Sequence, residues 1–135
     1  MKICVSAMAN SLDAQVDPRF GRCPYYLIVD SETMQFEAIP NTASDAMSGA
    51  GIQAAQNIVN RKVDVLITGN VGPNAFQVLS AAGIKVVPNA LGTVNEVVNR
   101  YLRGELSETN EPTVGGHYGA AKSRGRGWGG RRWQD

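Results

Sequence analysis

Apolar residues fall into short runs along the first hundred positions, and these runs predict a small α/β protein. Runs rich in β-branched, aliphatic and aromatic residues near 2–7, 25–30 and 34–39 predict three strands. Only the polar stretch 31–33 separates the second strand from the third, which leaves no room for a helix. Such a short connection joins antiparallel neighbours. The first forty residues therefore predict one strand followed by an antiparallel hairpin.

Beyond Pro40 the apolar residues return with helical spacing. Polar residues predict a loop over 41–48, and a helix follows it. The apolar face of this helix is formed by Ile52, Ala55, Ile58 and Val59. The nearly continuous apolar runs over 63–68 and 84–87 are typical of strands buried on both faces. Between them Pro73 occupies the first position of a second helix, where proline is well tolerated.

A third helix begins at Thr93, and Glu96 three residues later predicts a capping box. Gly104 ends this helix. Its apolar face is formed by Val94, Val97, Val98, Tyr101 and Leu102. The complete order is β-β-β-α-β-α-β-α. It predicts a mixed five-stranded sheet covered by three helices, with parallel strands and right-handed crossovers in its second half.

The charge of the chain is divided unevenly along its length. The 135 residues fit one domain, and a hydrophobic content of 43% with 19% charged residues is ordinary for a globular protein. Residues 1–114 carry eight Lys and Arg against eleven Asp and Glu, a net charge of −3. Residues 115–135 carry five against one, a net charge of +4. The chain is therefore an acidic body with a basic tail.

The sequence also predicts the compartment. No apolar run approaches the ~20 residues of a membrane span, and the N-terminus lacks the apolar segment of a signal peptide. Cys4 and Cys23 provide no disulfide framework. We therefore expect a cytoplasmic protein without a membrane partner.

The end of the chain differs in composition from the rest. Seven of the residues in 115–135 are Gly, interspersed with Arg, Lys and Trp, and such a segment cannot bury enough apolar surface to fold alone. We expect a domain over 1–108 and a disordered basic tail over 109–135. Arg and Trp between glycines can hold single-stranded nucleic acid, but the acidic body argues against a broad phosphate-binding face. A solubilising or partner-docking tail is the favoured alternative.

The loop between the first two predicted strands has the highest concentration of candidate binding residues. Arg19, Arg22 and Cys23 lie between two prolines, so two guanidinium groups and a thiol share one short loop. Guanidinium groups suit an anion, and a thiolate suits a soft metal or a sulfide-bearing cluster. We expect the two cations to lower the pKa of Cys23. In the alternative interpretation the arginines pair with Asp13, Asp17 or Asp30, and Cys23 is a small apolar residue.

Several motifs together resemble the dinitrogenase iron-molybdenum cofactor biosynthesis family over about residues 1–108. The motifs are Lys2–Ala7, Arg19-Phe20-Gly21-Arg22-Cys23-Pro24, Tyr26–Asp30, Gly69–Phe76, Ala82–Val86 and Gly92–Glu96. The resemblance implies a ribonuclease-H-like three-layer fold with the second strand antiparallel. It also implies a small protein that binds or carries an iron–sulfur or molybdenum–iron–sulfur cluster transiently, as a step in cofactor biosynthesis, with cluster donor and acceptor proteins as partners.

Glycines before the first two helices form a second group of candidates. Glycine permits close backbone approach, and the N–H groups at a helix start attract anions. Ligands collect at the carboxyl ends of strands in open α/β sheets. The candidates are Gly49, Gly51, Gly69, Asn70, Gly72 and Asn74. For each glycine alone, simple turn chemistry is the alternative. No Gly-Lys-Ser/Thr follows, so nucleotide hydrolysis is not indicated.

The remaining candidates are single residues. Cys4 in the first strand is interpreted as buried and structural. His117 is the only histidine and could ligate a metal from the tail, or lie idle in solvent. The first strand carries no acidic residue, and no acid cluster indicates a nuclease. We expect a binding or carrier protein rather than an enzyme. The alternative function is an interaction or nucleic-acid-binding module that acts through the tail.

Overall fold

A computed structural model describes residues 1–42 and 49–113 of the chain. The order of its elements confirms the predicted order. They are β1 (Lys2–Ala7), β2 (Tyr25–Asp30), β3 (Phe36–Pro40), α1 (Ala50–Asn60), β4 (Val65–Ile67), α2 (Pro73–Ala81), β5 (Lys85–Val87) and α3 (Val94–Leu102). No helix among the described residues is long and apolar enough to cross a membrane.

The five strands form one mixed sheet in the order β3-β2-β1-β4-β5. β2 is antiparallel to both of its neighbours, whereas β1, β4 and β5 are parallel. Successive residues of a strand point to opposite faces, so the sheet separates two apolar cores. Cys4 and Leu66 pack with α1 and α2 on one face, and Ile3 and Ile67 pack with α3 on the other. The result is a three-layer α/β fold, as predicted; the ribonuclease-H-like name stays a prediction.

The third helix begins as its sequence predicts. The Thr93 Oγ1 atom accepts a hydrogen bond from the Glu96 N–H at 3.1 Å, and the Glu96 carboxylate accepts one from the Thr93 N–H at 2.8 Å. Val94, Val97 and Val98 are buried, but Leu102 is 42% exposed. Leu102 was wrongly assigned to the apolar face, because it lies in the last turn, where the helix passes the edge of the core.

Residues 105–113, which we call the strap, follow α3 back across the outer strand of the sheet. The Thr109 N–H donates to the Val86 carbonyl at 2.8 Å. Farther on, the Thr113 N–H donates to the Val71 carbonyl at 3.0 Å, and the Thr113 Oγ1 accepts from the Val71 N–H at 2.9 Å. The first residues of the predicted tail thus contact the domain. The boundary at residue 108 stays a prediction, and residues 114–135 lie outside the described part of the chain.

The strand directions bring four loops to one edge of the sheet. β1, β4 and β5 are parallel, so the segments that follow Ala7, Ile67 and Val87 emerge on the same side. β2 runs the opposite way and starts at that edge, where β3 ends. This arrangement carries the Arg19–Cys23 loop and the starts of α1 and α2 to one place.

Candidate functional site

The loop that carries both arginines lies directly on the first turn of α1. Gly21 has a φ of 93°, and a Cβ built on it would lie 2.9 Å from the Cα of Gly51. A side chain at position 21 would therefore push the loop away from the helix and also strain its own backbone. This contact between two glycine backbones brings the loop of Arg19, Arg22 and Cys23 next to the predicted glycine candidates at the start of α1.

Two polar side chains hold this loop in shape. The Asn41 Nδ2 atom donates to the carbonyls of Gly21 and Cys23, at 2.9 and 2.8 Å. The Tyr26 hydroxyl accepts from the Gly21 N–H at 2.9 Å, and its ring packs on Phe20 with the ring centroids 5.5 Å apart. Because Asn41 and Tyr26 are buried, their hydrogen bonds are shielded from water. Sequence reasoning missed both residues as parts of the site.

Arg19 pairs with Asp17, one of the three aspartates that the sequence offered as partners for the arginines. The guanidinium donates from Nε to Oδ1 at 3.0 Å and from Nη2 to Oδ2 at 2.8 Å. The side chain of Asp17 is 1% exposed, whereas that of Arg19 is 64% exposed. The hydrogen bonds from Arg19 lower the pKa of Asp17 despite its burial. Much of the charge of Arg19 therefore compensates a buried carboxylate, while Arg22 lies exposed on the same loop.

The thiol of Cys23 faces the core. Cys23 is fully buried, and this burial raises its pKa to about 11, although a hydrogen bond with Tyr26 acts in the opposite direction. The expectation that the neighbouring arginines lower its pKa is therefore wrong, because burial of the thiol in the apolar layer disfavours the thiolate more strongly than nearby positive charge favours it. Cys4 is also fully buried, and burial raises its pKa as well. Ligation of a metal by Cys23 stays a prediction.

The loop after β4 is docked on the arginine loop by backbone contact. A Cβ built on Gly69 would lie 2.4 Å from the Cα of Pro18, so only glycine fits there. The Asn70 N–H donates to the Pro18 carbonyl at 2.8 Å, and Arg19 pairs with Asn70 in a parallel bridge. Close packing explains Gly69, in agreement with the simpler interpretation of that residue.

The N-termini of α1 and α2 meet beside this contact. Gly49 caps α1 and Gly72 caps α2, and within residues 1–42 and 49–113 no side chain donates or accepts a capping hydrogen bond at either helix start. A Cβ built on Gly51 would lie 3.4 Å from the Cβ of Ala75, so the two first turns are in contact. Backbone N–H groups at a helix start lack intrahelical partners, and the helix dipole makes this end positive.

A depression of 240 Å³ opens between these helix starts. It is lined by Phe20, Gly49, Gly51, Ile52, Gly72, Pro73, Asn74 and Ala75. We call the depression together with the loops 19–23 and 69–72 the cradle. Of the predicted site residues, Gly49, Gly51, Gly72 and Asn74 line the depression, and Arg19, Arg22, Cys23, Gly69 and Asn70 lie on the two adjoining loops. His117 lies outside the described residues. Within residues 1–42 and 49–113, no three His, Cys, Asp or Glu side chains are grouped closely enough to hold a metal ion.

The fold and the cradle define a small three-layer α/β protein whose two helix starts face one shallow depression. A match to a sequence model of the family described as "Dinitrogenase iron-molybdenum cofactor" covers residues 1–104. The chain belongs to this family. The resemblance found in its motifs is thereby confirmed.

Known proteins agree with this assignment. An uncharacterised protein of Methanocaldococcus jannaschii is 32% identical over 112 residues, which are 80% of this chain and 95% of that one. The apo form of the orange protein from Desulfovibrio gigas is 44% identical with a TM-score of 0.80, over 82% of this chain and 94% of that one. A Thermotoga protein, provisionally described as NifB, is 37% identical with a TM-score of 0.70, over 79% and 91%.

Proposed function

We propose that this protein binds an anionic iron–sulfur or molybdenum–iron–sulfur cluster transiently, for storage or for transfer between cluster donor and acceptor proteins, without catalysing a reaction. The observation that supports the proposal is the meeting of two helix N-termini at one depression, where no side chain among the described residues caps either helix. Membership of the iron-molybdenum cofactor family supports a cluster as the anion.

The cradle offers hydrogen-bond donors and positive charge rather than a set of ligating side chains. Residues of the first turns of α1 and α2 line the same depression. Apart from Pro73, these residues have backbone N–H groups without intrahelical partners, from which a metal-bound sulfide can accept hydrogen bonds. Arg22 adds a cation on the adjoining loop, and Arg19, which is paired with Asp17, lies on the same loop. Together these groups suit a cluster that is held by charge and can be released intact.

Cys23 has a secondary place in this proposal. Its neutral thiol is fully buried behind the loop, so it could ligate a metal only if the loop opened and the thiol ionised. Binding through backbone donors and Arg22 needs no such movement. Loss of Cys23 should therefore weaken the packing of the loop more directly than it weakens cluster binding.

The test uses tetrathiomolybdate, a molybdenum–sulfur anion, with the full chain under anaerobic conditions. Equilibrium dialysis should show saturable binding, and visible absorption should persist after desalting. Arg22→Ala should weaken binding by about tenfold, since one charge-assisted contact of this kind is lost. The circular dichroism spectrum should stay unchanged, because Arg22 is exposed.

Arg61→Ala is the matched control. It removes the same charge from an exposed residue just past the other end of α1, where Arg61 pairs with Glu37 at 3.0 Å. Binding by this variant should stay within about twofold of the parent, because exposed ion pairs at a distance contribute little. Equal losses in the two variants would show that overall charge, and not the cradle, attracts the anion.

The alternative function, an interaction or nucleic-acid-binding module, depends on residues of the predicted tail beyond Thr113. These lie outside the described part of the chain, and the alternative stays a prediction.

A further inference from the structure

The loop 69–72 forms one side of the cradle, and segments that are distant along the chain hold its first two residues. The Gly69 carbonyl accepts a hydrogen bond from the Asn89 N–H at 2.8 Å. The Asn70 N–H donates one to the Pro18 carbonyl, also at 2.8 Å. Both bonds join backbone groups, so they do not depend on which side chains these residues carry.

Val71, the last residue before the cap of α2, is held by a side chain as well. The Thr113 Oγ1 atom accepts a hydrogen bond from the Val71 N–H at 2.9 Å, and the Thr113 N–H donates to the Val71 carbonyl at 3.0 Å. Val71 is only 1% exposed, so water does not readily replace these bonds. Gly72 follows as the cap, and α2 begins at Pro73. The direction in which the chain enters α2 therefore depends on Thr113.

The strap has contacts of its own on β5 and α3, apart from its contact with the cradle. The Glu108 carboxylate accepts a hydrogen bond from the Tyr101 hydroxyl at 3.1 Å and lies 3.8 Å from the Lys85 ammonium group. The Thr109 N–H donates to the Val86 carbonyl at 2.8 Å. These contacts should keep the strap on the domain when a single hydroxyl at its end is removed.

We propose that Thr113 is a positioning residue of the cradle: by bonding both backbone groups of Val71, it fixes the first turn of α2 in the orientation that binds the anion. The inference rests on the proposed function, since it concerns the same site. None of the described residues that line the depression belongs to the strap, so Thr113 acts through Val71 and not by contact with the ligand. A loop that is already held in place loses less conformational freedom on binding and therefore binds more tightly.

This positioning has a reciprocal consequence that can be measured. If the contact between Thr113 and Val71 favours anion binding, the bound anion favours that contact in return. The N–H groups of both residues report on it, because they exchange with solvent when their hydrogen bonds open. In the full chain, saturating tetrathiomolybdate should slow amide exchange at both positions by about fivefold, as followed by NMR. Exchange at Gln35, near the opposite edge of the sheet, should not change.

Thr113→Val keeps the shape of the side chain and removes its acceptor. The Val71 N–H then lacks that bond, so affinity for tetrathiomolybdate should fall about fivefold in equilibrium dialysis, the effect of losing one such hydrogen bond. Amide exchange at Val71 should become faster in this variant. Thr113→Ser retains the hydroxyl and should bind within about twofold of the parent, a rescue that a role in packing alone would not give.

Thr33→Val is the matched control. The Thr33 Oγ1 atom accepts a hydrogen bond from the Gln35 N–H at 3.2 Å, in the exposed turn between β2 and β3 and at the opposite edge of the sheet from the cradle. The substitution removes the same kind of bond from the same type of residue. Affinity for tetrathiomolybdate should stay within about twofold of the parent, because the change is confined to the surface.

The outcomes separate the two proposals. If the parent binds tetrathiomolybdate and Thr113→Val binds it equally well, or loses no more affinity than Thr33→Val, Thr113 does not position the cradle, while the proposed binding function stands. A loss that Thr113→Ser fails to restore, or amide exchange at Val71 that the anion leaves unchanged, would overturn the positioning role in the same way. If the parent binds no tetrathiomolybdate or iron–sulfur cluster at all, the proposed function fails, and the positioning role fails with it.

Discussion

At the scale of single residues, the cradle depends on positions where a side chain is absent. Gly21 and Gly69 allow two loops to approach α1 and each other more closely than any Cβ would permit. Gly72 is different, because its extended backbone, with φ −74° and ψ 169°, is open to other residues. The backbone conformation at Gly72 therefore accepts an aspartate or asparagine, which can change the charge at the start of α2.

Gly72→Asp should separate helix stability from anion binding. An aspartate at this position caps α2 and complements the helix dipole, so the free energy of unfolding should rise by a few tenths of a kcal/mol, or about 1 kcal/mol at most. The same carboxylate lies beside the depression and should lower the affinity for tetrathiomolybdate by at least about tenfold. Urea unfolding and equilibrium dialysis measure the two effects on one preparation.

The control is Gly72→Asn, which caps the helix without adding a charge. It should match the aspartate variant in stability to within about 0.5 kcal/mol. Because its side chain also accepts from a backbone N–H of the cradle, it should bind the anion more weakly than the parent but more tightly than the aspartate variant. If the aspartate variant also bound as the parent does, the anion would not lie at the start of α2.

At the scale of elements, the end of β3 determines the shape of the arginine loop. Asn41 directly follows β3 and donates two hydrogen bonds to carbonyls of that loop. Asn41→Ala would leave the buried carbonyls of Gly21 and Cys23 without these donors. The expected loss is about 1–3 kcal/mol of unfolding free energy, together with weaker anion binding, because Arg22 is no longer held in place.

Asn99→Ala serves as the comparison for this prediction. The Asn99 amide donates to the Asn95 carbonyl at 2.9 Å on the outside of α3, so its loss should cost less than about 0.5 kcal/mol. Urea unfolding of the two variants measures the difference. Equal losses would mean that Asn41 does not hold the loop by its buried hydrogen bonds.

At the scale of the whole molecule, the buried thiol of Cys23 should make the free energy of unfolding fall at alkaline pH. The pKa of Cys23 is raised from its ordinary value of 9.0 to about 11 in the folded protein. The neutral thiol therefore contributes its full stability below about pH 9, and this contribution falls as the pH rises towards 11. By about pH 10 the loss from this one group should be about 1 kcal/mol.

Urea unfolding of the parent and of Cys23→Ala at about pH 7 and about pH 10, with a reductant present, measures this contribution. Cys23→Ala should be less stable overall but should lose less stability between the two pH values, because it lacks the titrating thiol. An identical loss in both proteins would place the alkaline sensitivity in other groups, such as Tyr26, whose pKa burial also raises.

Much of the fold could be predicted from the sequence because periodicity reports on burial. The apolar runs gave the order of strands and helices, and Thr93 with Glu96 located the start of α3. The rule that ligands bind at the carboxyl ends of strands in open α/β sheets also predicted that the loop 69–74 lies at the candidate site. The hydrogen bonds from Asn41 to the arginine loop and the burial of Asp17 could not be predicted, because a single polar residue in a loop belongs to no periodic pattern that would indicate its burial. The direction of Cys23 was also beyond the sequence, because loop neighbours do not determine which way a side chain points.

The parallel pairing of β1 with β4 determines at what stage of folding the cradle can first bind a ligand. The Ser6 and Thr68 hydroxyls, 62 positions apart, are 2.7 Å apart in the folded protein. Neither loop of the cradle reaches the other until this distant pairing has formed, and such non-local contacts form late. A chain still emerging from the ribosome therefore has no place for a cluster. Under the proposed function, loading therefore follows folding, and a loaded protein should unfold less readily than an empty one, because a ligand of the folded state alone stabilises that state.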